Sequence, residues 1–315
     1  MKKSILLTGG TGSFGQAMIE SLLKTDEWER IAVYSRDEFK QEQMIQKLGE
    51  FPVGRLRFFV GDVRDLKNLR RATRRMDIVI HAAALKQIPS CEYNPWEAVQ
   101  TNVWGTWNVI NAAIENEVEK VVLLSSDKAV NPINCYGATK LVAEKLIINS
   151  NTLGRRITKF SVIRYGNVLA SRGSVVDAFR EQAQRGVLKV TDRRMTRFWW
   201  SLEDVVKFTY RVMLEMKGGE IFIPKLKSAP IVDLARAVAP EVPVEETGIR
   251  AGEKIHEALV APDEIRRTSD EGWTYVIKPD NPFFKYLGQE GNAVPESFSY
   301  TSDDLNLYIK VFKGL

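Results

Sequence analysis

Through the first half of the chain, short apolar runs alternate with longer stretches whose apolar residues recur at helical spacing. Residues 4–7, 31–34, 56–60, 77–80, 120–124 and 160–164 are each four or five positions long and mostly aliphatic or aromatic. That length and composition predict buried strands. Ala17, Met18, Leu22 and Leu23 space out a helix after the first run. A charged helix is expected over about 37–48, a long one from Pro95 to about residue 115, and another from Tyr136. Alternation of this kind predicts an α/β fold, a Rossmann-like, doubly wound parallel sheet. After Gly166 the rhythm breaks. Short helices over 175–185 and 201–216 mix with short strands, and prolines fall at 224, 230, 240 and 243. The division expected is a dinucleotide-binding Rossmann domain over 1–166 and a smaller substrate-binding portion over 167–315, with segments free to rejoin the main sheet. From about residue 279 the chain is polar and rich in turn formers until the run over 305–312, and no internal repeat or low-complexity linker interrupts it.

Composition narrows the class. The 315 residues are 44% hydrophobic and 27% charged, ordinary values for a soluble globular protein. No apolar run approaches the roughly 20 residues that span a bilayer, and Gly9 and Gly10 cut the first one short of a signal peptide. Two cysteines, Cys91 and Cys135, make neither a disulfide nor a zinc framework, so a cytoplasmic location is expected. The two histidines lack metal-ligand spacing: His81 is expected to pack at a strand end and His256 on a helix face, and no metal is expected. The net charge of +5 suits an anionic nucleotide. Basic residues are spread among 40 acids with no long basic block, which argues against nucleic acid. Trp199 and Trp200 read as core.

The candidate chemistry gathers after the apolar runs. Thr8-Gly9-Gly10-Thr11-Gly12-Ser13-Phe14-Gly15 stands between a strand and a helix. In that context glycines permit a tight turn and close approach to a pyrophosphate, whose charge the helix N-terminus stabilises. After the second run come Ser35, Arg36, Asp37 and Lys40. A cation in this place accommodates the 2′-phosphate of NADP, whereas NAD sites usually set an acid directly after the strand. Asp37 reads either as a helix N-cap or as a hydroxyl acceptor. Asp62-Val63, Ala82-Ala83-Ala84 and Lys86 follow the third and fourth strands, where a cofactor would pass. Past the fifth strand stand Ser125, Ser126 and the adjacent Asp127 and Lys128, then Tyr136 and Lys140 at i, i+4 on one helical face. An ammonium beside a phenol favours loss of its proton, which suits removal of an alcohol proton during hydride transfer. The added acid and amine suggest a second chemistry, an elimination. In the later half, Arg197 and Arg250 are suited to grip a diphosphate.

Taken together these residues resemble the extended short-chain dehydrogenases/reductases and, more narrowly, the inverting UDP-N-acetylglucosamine 4,6-dehydratases that open pseudaminic acid synthesis. The resemblance runs over nearly the whole chain and rests on residues 8–15, 34–38, 61–65, 82–86, 127–140, 164–168, 195–199 and 248–257. It implies catalytic roles for Asp127, Lys128, Tyr136 and Lys140; on chemical grounds Lys128, left neutral by burial, is chosen as the base and Asp127 as the acid, the division between this coupled pair being left open. It implies cofactor contacts from Gly9, Thr11, Gly12, Ser13, Phe14 and Gly15, from Ser35, Arg36, Asp37 and Lys40, from Asp62, Val63, Ala82, Ala83, Ala84, Lys86, Thr101 and Asn102, and from Tyr136 and Lys140, and sugar-nucleotide contacts from Lys86, Asn167, Val175, Arg197, Arg250 and Glu253. The partners implied are tightly bound NADP, UDP-N-acetylglucosamine and further copies of the chain, as many as six, with no membrane. Ala251 departs from the proline usual in that loop. A UDP-sugar 4-epimerase, which needs Tyr136 and Lys140 alone, and a non-catalytic NADP-binding protein are the other readings.

Overall fold

The computed structural model describes residues 2–49, 54–153, 157–169, 174–288 and 291–309, so residues 310–312 of the last apolar run lie outside the described residues. The amino-terminal half alternates as its pattern predicts: β1 (Lys3–Thr8), α1 (Ser13–Leu23), β2 (Trp28–Ser35), α2 (Glu38–Leu48), β3 (Leu56–Val60), α3 (Leu66–Ala72) and β4 (Ile78–His81). Then come α4 (Ile88–Tyr93), α5 (Pro95–Ala98), α6 (Gly105–Glu115), β5 (Lys120–Leu124), α7 (Cys135–Asn149) and β6 (Lys159–Ile163). The long helix expected from Pro95 is not uniform: between α5 and α6, Val99–Trp104 is a π-helical turn. Such wide turns are rare and often mark functional sites.

Beyond Gly166 follow β7 (Asn167–Val168), α8 (Val175–Gln184), β8 (Leu188–Val190), β9 (Thr196–Trp200), α9 (Leu202–Glu215), β10 (Ile221–Pro224), β11 (Lys227–Pro230), α10 (Ile231–Val238), β12 (Val244–Glu246), β13 (Thr268–Asp270), β14 (Thr274–Ile277) and β15 (Asn292–Ala293). Ten strands form one sheet in the order β15-β13-β14-β10-β6-β5-β4-β1-β2-β3. Pairing is parallel from β3 to β10, and β14, β13 and β15 add on antiparallel. Late segments thus complete the sheet that the first half begins. Core packs on both faces of it, one side built around Leu6, Val121 and Phe160 and the other around Ile5, Leu7 and Val122. Successive residues of β1 and β5 serve opposite faces, which is why these strands read as unbroken apolar runs. A third cluster, with Phe179, Leu188, Leu234 and Trp199, holds the smaller layer of α8, α10, β8 and β9.

β1 lies between β2 and β4, so chain order reverses direction at β1. In open sheets of this kind the crevice outside the carboxyl ends at that reversal receives ligands. His81 is buried at the end of β4 between the hydroxyls of Thr8 and Thr106, at 2.7 and 3.1 Å. His256, expected on a helix face, lies on a bend instead, its Nδ1 at 2.9 Å from the Thr196 hydroxyl. Arg164 is fully buried at the end of β6, and its five N–H donors meet Glu144, Glu264 and the Leu259 carbonyl at 2.6–3.1 Å. That network fastens α7 to the loop before β13. No helix among the described residues is long and apolar enough to cross a membrane.

Candidate active site

A cleft of about 720 Å³ opens at the carboxyl edge of the sheet. Its floor is the glycine turn. Gly9 has φ +67°, and a Cβ there would come within 2.8 Å of the Ala83 nitrogen. A Cβ on Gly15 would come within 2.5 Å of Gly10. The turn, the 82–84 segment and α1 therefore approach more closely than side chains allow. Gly12 is the N-cap of α1 and has no side chain to cover the first-turn amides. Thr11, Ser13, Phe14 and Val63 complete this part of the wall. Facing it are Ala82, Ala83, Ala84, Lys86 and Thr101. Burial lowers the pKa of the Lys86 amine.

At the end of β2, Ser35, Arg36, Asp37 and Lys40 all reach the cleft. Asp37 is the N-cap of α2: its carboxylate accepts from the Lys40 amide at 3.0 Å and pairs with the Lys40 ammonium at 2.8 Å. Those bonds to Lys40 hold its pKa below the usual carboxylate range. Of the two readings the sequence left open, the cap is the one formed. Arg36 remains half exposed, 3.6 Å from Asp62.

The acid and amine expected to react stand just after β5. Ser126 caps a short 3-10 turn, Asp127–Ala129, by accepting from the Lys128 amide at 3.3 Å. Its hydroxyl donates to Asp127 Oδ1 at 2.7 Å. Lys128 Nζ lies 3.0 and 3.1 Å from the two Asp127 oxygens, 3.3 Å from Asn167 Oδ1 and 3.4 Å from Glu257 Oε1. Three acceptor groups around three N–H donors describe an ammonium, not a free amine. Burial opposes that charge, but the carboxylates of Asp127 and Glu257 outweigh it and raise the pKa of Lys128. The neutral Lys128 expected from the sequence is thus corrected: burial was the only influence visible there, and it is not the stronger one.

Asn134 caps α7, accepting from the Gly137 amide at 2.7 Å and donating to the Gly252 carbonyl at 2.8 Å. That places Tyr136 and Lys140 on one buried face in the cleft wall. Burial raises the pKa of the Tyr136 phenol, against a weaker opposing hydrogen bond with Ser126. The lowering expected from a neighbouring ammonium is not realised: burial prevails at the phenol, and Lys140 Nζ donates to the Leu124 carbonyl at 2.6 Å. Burial brings Lys140 itself down to about 8, partly countered by Glu144.

Asn167, Val175, Arg250 and Glu253 line the far end of the cleft. Three expected contacts do not line it. The Asp62 carboxylate is held by Arg64 at 2.8 and 3.0 Å. Asn102, on the π-turn, bonds both the amide and the carbonyl of Leu85, at 2.8 and 2.9 Å, and the Thr139 hydroxyl at 3.0 Å, so it braces the 82–86 segment against α7. Arg197, expected to grip a diphosphate, lies buried behind the wall. Its donors go to the carbonyls of Thr196, Lys254 and Ile255 at 2.7–3.0 Å. Glu257, Tyr165 and Ser174 received no role from the sequence; no spacing or periodicity marks them.

Cleft residues carry buried polar atoms that lack partners among the described residues: Thr101 Oγ1, Ser125 Oγ, Ser174 Oγ and Glu253 Oε2. Buried polar groups are normally hydrogen-bonded. Four in one cleft, beside a backbone cradle and the pair Arg36 and Lys40, fit a polar anionic ligand such as a dinucleotide.

A sheet ordered 3-2-1-4-5-6 at its core, the glycine turn at the reversal and Tyr136-x-x-x-Lys140 after β5 define an enzyme of the extended short-chain dehydrogenase/reductase type. The family described as "Polysaccharide biosynthesis protein" matches residues 5–279, and the chain belongs to it. A Campylobacter jejuni protein named UDP-N-acetylglucosamine 4,6-dehydratase (inverting) is 48% identical over 318 aligned positions, 98% of this chain and 94% of that one. A Rickettsia akari protein named UDP-glucose 4-epimerase is 41% identical over 320 positions, 97% of this chain and 93% of that one. Among solved structures, Pen from Bacillus thuringiensis superposes with a TM-score of 0.90 at 34% identity, covering 98% of this chain and 94% of that one.

Proposed function

We propose that the chain catalyses the NADP-dependent 4,6-dehydration of UDP-N-acetylglucosamine with inversion at C5. The product would be UDP-2-acetamido-2,6-dideoxy-β-L-arabino-hex-4-ulose, a first step towards pseudaminic acid. The observation that carries this reading is the ion pair of Asp127 and Lys128, 3.0 Å apart, in the same cleft wall as Tyr136 and Lys140. Tyr136 and Lys140 suffice for exchanging hydride at an alcohol; a donor and an acceptor of protons beside them are what loss of water requires.

The glycine turn and the N-terminus of α1 would hold the cofactor's pyrophosphate. Arg36 and Lys40 would take the 2′-phosphate, with Asp37 engaged in its cap. When bound, the nicotinamide supplies hydride exchange between C4 and C6 and brings a positive charge into the cleft. That charge favours the Tyr136 phenolate against the burial that otherwise keeps the phenol protonated, and the phenolate takes the proton of the C4 hydroxyl. The 4-ketone then acidifies the C5 hydrogen, which the Asp127 carboxylate removes. Lys128, as an ammonium, protonates the departing 6-hydroxyl, which leaves as water. This reverses the division of roles expected from the sequence, and the three-acceptor surroundings of Lys128 support the reversal. C5 is then reprotonated from solvent on the opposite face, which inverts it, and Tyr136 releases its proton to solvent. Asn167, Val175, Arg250 and Glu253 would hold the sugar nucleotide.

The test is incubation with UDP-N-acetylglucosamine and NADP in deuterated water, read by mass spectrometry and NMR. The expected product has lost one water, carries deuterium at C5 and shows the β-L-arabino couplings. A product of unchanged mass would instead make the chain a 4-epimerase, the activity in the name of the Rickettsia relative. Asp127→Asn is expected to stop deuterium entry at C5, while Lys128→Met retains entry and loses elimination. The opposite pattern would restore Lys128 as the base.

A further inference from the structure

One carboxylate behind the cleft wall takes no part in the reaction as written. Glu257 is 2% exposed, and its backbone is clamped by Ser302, which accepts from its amide at 2.9 Å and donates to its carbonyl at 2.8 Å. Oε1 lies 3.4 Å from Lys128 Nζ and 3.9 Å from Arg197 Nε. Oε2 lies 3.7 Å from Lys254 Nζ and has no hydrogen-bond partner among the described residues. Burying a carboxylate costs several kcal/mol unless it is well paired. None of its three ion pairs is short, so packing alone is a poor account of it. Arg197 holds the carbonyls of Lys254 and Ile255, and Lys254 also donates to the Val130 carbonyl. Loop, arginine and carboxylate thus form one support behind Lys128.

We propose that Glu257 is the positioning residue of Lys128: with Asp127 and Asn167 it completes the acceptor cage that keeps this amine charged and aimed into the cleft. Asp127 is the nearer anion, but it becomes a neutral acid when it takes a proton from carbon. Glu257 is then the anion that remains beside Lys128. After the ammonium has given its proton to the departing hydroxyl, the pair stands as a carboxylic acid and an amine about 3 Å apart. Transfer of the acid's proton to the amine regenerates carboxylate and ammonium with no outside reactant, and the charge of Glu257 favours that direction. The groups facing this pair are Arg197 and Lys254 from the cationic side and Tyr136 and Tyr165 from the cleft. The catalytic consequence rests on the dehydratase reading; the cage does not.

The experiment uses the full chain with its cofactor, ¹⁵N-labelled at lysine Nζ, with the Lys128 resonance assigned by its loss in Lys128→Met. In Glu257→Gln, which keeps the shape and removes the charge, Lys128 is expected to lose its proton about tenfold or more readily than in the parent, a shift of about one pKa unit. The alkaline limb of the dehydration rate moves the same way, with melting temperature and bound cofactor retained. Glu257→Asp, which withdraws the charge without removing it, gives a smaller shift and stands in should the glutamine variant not fold. Lys128 titrating in these variants as in the parent overturns the inference. Were the parent to release no water from UDP-N-acetylglucosamine, the titration would still decide the cage, and only the functional reading would fall.

Discussion

Gly137→Ala is the substitution whose effect the structure defines most sharply. Gly137 lies in the first turn of α7, where helix propensity alone favours alanine by about 1 kcal/mol. Its added Cβ would lie 2.1 Å from the Lys128 carbonyl oxygen and 3.0 Å from both the Lys128 carbonyl carbon and Pro132 Cβ. Ordinary contact begins near 3.4 Å, so relief requires more than 1 Å of movement between α7 and the 127–129 turn. Neither neighbour is a flexible side-chain end. Overpacking of this kind costs about 1–3 kcal/mol, leaving a net loss of up to about 2 kcal/mol and a melting temperature lower by a few degrees. The displaced turn carries Asp127 and Lys128, and about 1 Å of misplacement at reacting groups can cost about 100-fold in rate. The signature is therefore a large fall in elimination, followed by mass spectrometry of the sugar nucleotide, with a small change in melting. Gly186→Ala is the control: φ is +81° there with nothing within 4 Å, so it strains the backbone and leaves the rate alone. A Gly137→Ala enzyme that eliminates water at the parent rate would refute the close packing of α7 on the catalytic turn.

Removing both Arg36 and Lys40 as alanines should weaken NADP binding tenfold or more while leaving NAD affinity nearly unchanged, measured by calorimetric titration; a parent protein that binds NAD more tightly than NADP would contradict the assignment. Arg164→Met leaves Glu144 buried without its cation and Glu264 with Arg267 alone, 3.6 Å away, and should cost about 3–5 kcal/mol in denaturant unfolding, so a loss below about 1 kcal/mol would count against the network. Burial, helped by the charge of Lys140, lowers the pKa of His81 to about 3 from an ordinary 6.5. Over that window the unfolded chain binds a proton that the native state does not, so stability falls with falling pH, by up to about 1.4 kcal/mol per unit. His81→Gln should lessen this acid sensitivity between pH 6.5 and 3, and equal slopes for parent and variant would sink the argument.

What the chain declares locally was legible before any fold was known. The strand runs, the glycine turn and the caps are contests between neighbouring residues, so β5 and the start of α8 fall where the spacing sets them. Asp127 beside Lys128, and Tyr136 four residues before Lys140, are likewise short-range facts. The π-turn that lets Asn102 brace the 82–86 segment was not legible, because it is a defect of register with no composition of its own. Nor was the burial of Arg197, whose partners are backbone carbonyls that every residue possesses. The charge of Lys128 shows the division best. From sequence, an amine entering an interior is expected to become neutral, since desolvation depends only on being buried. Its actual state depends on which anions share that interior, and Asn167 and Glu257 arrive there from distant parts of the chain. Coulomb energy falls with distance in space and ignores distance along the chain, so only the tertiary structure could decide it.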